Sequence, residues 1–108
     1  MVEKAPLDPT AAKITNQYFL GAVRVCELES ASGALDVRVS QGTAAQWVVE
    51  VHSKRTAEAV VIIGSGTTSA AALTAAAAEW AAQAAFLGLA AFNWKSVADA
   101  LHAVHAIR

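Results

Sequence analysis

Three groups of residues have types and spacing that could do chemistry. In "QWVVEVHS" His52 follows Glu50 by two positions, so in an extended chain both side chains leave the same side. There the imidazole could serve as a base beside Glu50 or Glu27. His102 and His105, with Asp99 one turn earlier, would lie near one another on a helix and could offer a divalent metal two imidazoles and a carboxylate. "GSGTTSAAALTAAAAEW", residues 64–80, could turn a strand into a helix whose first amides hold a phosphate.

Each of these has a plainer reading. A dinucleotide fingerprint needs a third glycine and an acidic residue about twenty positions on, within a strand-helix-strand unit. Position 69 is serine here, and no strand pattern follows. A P-loop needs a lysine just before Ser or Thr, and that lysine is missing. A metal site at His102 and His105 lacks a further ligand cluster, so these histidines are expected to be solvated, near a helix C-terminus that favours their charged form. The expectation is therefore no catalytic residue, no cofactor and no metal.

Binding to another protein is the expectation left for the polar positions. Lys54 and Arg55 form the only adjacent basic pair and fall in the predicted hairpin loop "SKRTA", while Arg38, Glu50 and His52 share the polar side of predicted strands. These five are the candidate partner-binding residues. Cys26 stands alone in an apolar run, which excludes an internal disulfide and reads as a small buried hydrophobe.

Composition narrows the class further. Eight basic against nine acidic residues in 108 leave a net charge of -1, without the basic excess of a chain built to grip phosphate backbones. Nucleic acid is not the expected partner. The start "MVEKAPLDPT" is charged and broken by proline, with no continuous apolar stretch, so a cytoplasmic location is expected. Residues 70–92 are long enough to cross a bilayer, but Glu79 and Gln83 sit near the middle and alanine is only marginally apolar. No membrane partner is expected.

The elements that must position these residues follow from periodicity. "DPTAAKITNQ" begins with a capping aspartate and a proline and is expected to be an arm or short helix within 1–17. Strands are expected over 18–63: in "YFLGAVRVCELES", in "ALDVRVS" after a hairpin at "SASG", in "QWVVEVHS", and in the continuous apolar run "EAVVIIG". Two helices are expected over 67–108. The first is capped by Thr67, Thr68 or Ser69 and ends at Gly88; the second is capped by Asn93 and carries Trp94, Val97, Leu101 and Val104 on one face. The whole is a single α+β domain, an antiparallel meander of three to four strands followed by two helices on one face.

The glycine stretch also resembles the C-terminal part of double-stranded-RNA-binding domains, where a G-x-G-x-S turn enters a helix reading K-K-x-A-K-x-x-A-A. Gly64, Gly66, Thr68, Ala72, Ala76 and Ala77 fit that spacing. The hairpin at Gly33, the strand "WVVEV" and the leading segment "DPTAAKITNQ" are similar to the rest of that family's α-β-β-β-α order. The lysines that the family sets against phosphate fall here on Ser69, Ala70 and Leu73. The resemblance thus implies a shared shape turned to protein contacts. A weaker likeness is to HicB-type antitoxins, whose strands lead through a G-x-T or G-x-S turn into an alanine-rich helix.

"AAALTAAAAEWAAQAA" is small or apolar nearly all the way round, which a single sheet face cannot cover. With Trp80, Phe86, Phe92 and Trp94 as large anchors, it predicts self-association into a homodimer. The expected function is a non-catalytic interaction module of adaptor, antitoxin or immunity type, binding itself and a further protein. A nucleic-acid-binding module and a small enzyme with a pocket between sheet and helices are the alternatives.

Overall fold

The computed structural model describes residues 8–53 and 60–108. Five strands come first: β1 (Lys13–Leu20), β2 (Val23–Ser30), β3 (Gly33–Gln41), β4 (Trp47–Ser53) and β5 (Val61–Gly66). Two helices follow, α1 (Ser69–Leu87) and α2 (Trp94–Ala103). The strands form one antiparallel sheet in the order β1-β2-β3-β4-β5, a meander in which each strand pairs with its sequence neighbour.

The sheet has five strands where three to four were expected, and the extra one is at the start. The residues read as a short helix instead enter β1 at Lys13. Asp8 and Pro9 turn the chain, and β-favouring Ile14, Thr15, Tyr18 and Phe19 outweigh the capping signal. The run "YFLGAVRVCELES" splits into two strands because Leu20 pairs with Val23 across a two-residue turn. Gly21, at φ +59°, takes the left-handed first position there at little cost. The hairpin at "SASG" forms as expected, with Ser30 opposite Gly33. A strand also stands where the leading helix of the α-β-β-β-α order would lie.

Alternation sorts the sheet into two faces. Leu35, Val37, Val39, Val49, Val51 and Ile62 point to one side and are buried beneath Ala72, Leu73, Ala76 and Trp80 of α1 and Val97 and Leu101 of α2. α1 rides directly over β5. A methyl group added to Gly64 would run into the backbone nitrogen of Ala76 and the carbonyl oxygen of Ala72, and one on Gly66 would lie 2.9 Å from the Ala71 methyl. Glycine on the strand and alanine on the helix bring the two backbones together.

Both helices are capped as their sequences predict. The Thr68 hydroxyl accepts from the Ala71 amide at 3.0 Å, and Gly88 closes α1 in the left-handed conformation at φ +63°. Asn93 Oδ1 accepts from the Ser96 amide at 3.2 Å, and the Asn93 amide donates to the Thr10 carbonyl, so the turn before β1 is tied to the head of α2.

Candidate functional site

The open face of the sheet carries most of the expected partner-binding residues. In register, Arg38 stands opposite Glu50 and Asp36 opposite His52, with Glu27 beyond Asp36 on β2. His52 Nε2 lies 3.0 Å from Glu50 Oε1, with the imidazole 22% and the carboxylate 37% exposed. Glu27 is engaged by the Asn16 side-chain amide at 3.0 Å. Arg38, Glu50 and His52 are thus brought together as a band of charge across β3 and β4. Lys54 and Arg55 lie outside the described residues.

This band is a polar surface. His52 Nε2 and Glu50 Oε1 pair with one another, and Arg38 sits in register with Val25, a fully buried residue of this face that Tyr18 flanks on its other side. The side-chain stem can therefore cover apolar surface, and Arg38 Nε is itself buried, without a hydrogen-bond partner among the described residues. Asp36, although on the open face, is only 8% exposed.

Other candidate groups are dispersed. Asp99 is turned to Lys95, whose ammonium it meets at 2.9 Å, and His105 lies beyond the end of α2 with φ +58°. Among the described residues no three metal-ligating side chains converge. Cys26 is fully buried on the helix side of β2, and burial pushes its thiol above the ordinary value, partly opposed by Arg24.

Of the four expected self-association anchors, three meet within the chain. The ring of Trp80 stands edge-on to Phe92 at 5.9 Å and to Trp94 at 5.8 Å, and its indole N–H donates to the Ala90 carbonyl at 2.9 Å. This cluster closes the gap between α1 and the loop to α2. Phe86 alone is presented outward, 89% exposed.

Exposed apolar surface lies along both edges of the sheet. Among the described residues β5 is an outer strand, as β1 is at the other edge, and pairs only with β4. Val61 and Ile63 face the open side at 40% and 59% exposure, and no residue of "VIIGSG" is charged. Beside it, α1 turns Ala71, Ala75, Ala78, Ala82 and Ala85 to solvent, and Glu79 is its one charged residue. By length and composition α1 would suffice to cross a membrane, and here Ser69, Ala72, Leu73, Ala76 and Trp80 are the residues it buries.

A cleft opens at the opposite end of α1, where Phe19, Arg24, Trp47, Ser69, His105 and Arg108 converge from five parts of the chain. Its residues are too scattered in sequence for any spacing to have announced them. Compared with known protein families, curated proteins and solved structures, the chain matches none.

Proposed function

We propose that the protein is a non-catalytic interaction module that works as a homodimer joined along β5. The observation that carries this reading is the unguarded outer strand. Edge strands of lone domains are usually blunted by a charge, a proline or a bulge, and Val61–Gly66 has none of these. A two-fold axis perpendicular to the sheet would pair two such edges antiparallel and continue the sheet from one copy into the other. Neither strand brings charge to the junction, so like meets like without repulsion.

The same axis places both α1 helices on one side of the joined sheet, where their outward alanines can approach closely. Pairing centred on Ile63 sets that side chain against its own copy on the other side. The band of Arg38, Glu50 and His52 remains accessible on each copy and is the surface offered to a further protein, recognised by complementary charge. Light scattering across a dilution series tests the assembly: twice the chain mass of 11.1 kDa is expected, and the mass of one chain at every concentration would overturn it.

A further inference from the structure

We infer that the cleft at the head of α1 is a binding site for a small organic anion with an apolar body, such as an aryl carboxylate. Its volume is about 620 Å³, within the range of roughly 300–1,000 Å³ usual for small-molecule sites. Phe19 and Trp47 supply aromatic walls, and Val39 lies between them in the sheet. Arg24, His105 and Arg108 supply positive or protonatable groups, and no acidic side chain lines the cleft.

The polar groups are held in place before any ligand arrives. Arg24 Nη2 binds Gln17 Oε1 and donates to the Val104 carbonyl at 3.1 Å, while the guanidinium lies 5.0 Å from the centre of the Phe19 ring. Both hydrogen bonds leave from the same nitrogen, so they orient the fork without exhausting its donors. Beyond α2, the chain folds back over the sheet. The Ala106 amide donates to the Leu101 carbonyl, Ile107 is buried, and the Arg108 amide donates to Ser69 Oγ at 2.8 Å.

Ser69 adds a buried polar group to this end of the cleft. It is 4% exposed, lines the cleft, and its oxygen accepts from the Arg108 amide at 2.8 Å. Its hydroxyl proton can rotate toward a ligand. An anionic oxygen in the cleft would take that proton as a hydrogen bond and lie within the field of Arg24 and the first turn of α1. The apolar part of the ligand would then lie between Phe19 and Trp47. The combination selects a molecule with one charged end and one ring-sized apolar end, over either a bare phosphate or a neutral hydrocarbon.

The test is calorimetric titration of the whole protein with 1-naphthoate, and in parallel with 1-naphthalenemethanol and with inorganic phosphate. Naphthoate should bind at least about tenfold more tightly than the other two, the worth of one hydrogen bond to a charged group. Arg24→Gln should weaken naphthoate by a similar factor. Because Arg24 also ties β2 to the end of α2, Arg108→Gln is measured beside it and is expected to weaken naphthoate severalfold at an unchanged melting temperature; Ser69→Ala, which also removes the acceptor of the Arg108 amide, is expected to weaken naphthoate severalfold with a lowered melting temperature. Equal affinity for naphthoate and its neutral analogue would overturn the proposal. So would naphthoate affinity that none of the three substitutions changes, or no binding at millimolar concentration.

Discussion

Gly64 lies so close beneath Ala76 that a side-chain carbon on the glycine would stand 2.8 Å from the alanine Cα. No rotamer relieves this, since the opposing atoms belong to helix backbone. Gly64→Ala must therefore lift α1 off the sheet, and overpacking of this kind costs about 1–3 kcal/mol or more. Gly21→Ala meets nothing within 4 Å and carries only the left-handed backbone penalty of about 1–2 kcal/mol. Urea unfolding of the two variants should place Gly64→Ala as the less stable. The reverse order would mean that helix and strand are not in contact as described.

That relationship also shows where sequence reasoning reached its limit. The stretch "GSGTTS" carries the marks of a ligand loop and of a helix start, and periodicity separates them only by what is missing, a lysine or a third glycine. It does not show that both glycines sit in β5 and face the helix. Strand alternation and capping residues were legible because they are local: Thr68, Gly88 and Asn93 act where they were expected. β1 was not, because Asp8 and Pro9 imitate a helix start and only pairing with β2 decides the matter. Trp80, Phe92 and Trp94 were legible as large apolar groups, but not as one another's partners.

The outer edge of β5 can be separated from other apolar surface by a pair of substitutions. Ile63→Lys places like charges at the proposed two-fold axis and removes two isoleucines, each worth about 1.5–3 kcal/mol when buried. The dimer dissociation constant should rise about a hundredfold or more. Leu20→Lys, at the 49% exposed end of β1 on the opposite edge, should leave it unchanged. Sedimentation of both variants reads the difference directly. If Leu20→Lys dissociates the dimer and Ile63→Lys does not, the copies join along β1. If both remain dimers and only Phe86→Ser separates them, the helix and not the strand makes the junction.

Two successive alanines, Ala44 and Ala45, hold φ at +58° and +57° in the turn between β3 and β4. The Gly42 amide spans this turn to the Gln46 carbonyl at 2.6 Å, fixing its ends. A left-handed alanine costs about 1–2 kcal/mol that glycine avoids, offset in part by glycine's greater freedom in the unfolded chain. Ala44→Gly and Ala45→Gly should each stabilise the fold by about 0.5–1 kcal/mol, seen as a higher urea midpoint with an unchanged slope. Lower midpoints in both would show that the alanine methyl groups contribute packing that outweighs the strain.

Acid should loosen the turn at Asp8–Thr10 before it unfolds the sheet. The Asp8 carboxyl is held below its ordinary 3.8, first by the Thr10 hydroxyl, then by the Asn93 side-chain amide at 2.8 Å, then by the Thr10 backbone N–H at 2.8 Å. A carboxyl depressed in the folded state contributes stability that is present in full above its unfolded value and is lost as pH falls through the lowered one. Since Asn93 caps α2, release of Asp8 frees the residues before β1 from the head of that helix. The Thr10 and Asn93 amide resonances should therefore shift together below about pH 4 while those of β3 and β4 hold their positions. In Asp8→Ala that shift should be absent, with both resonances already at their low-pH positions at neutral pH. An unchanged acid transition in Asp8→Ala would assign it to another carboxylate and remove Asp8 as the tie between the turn before β1 and α2.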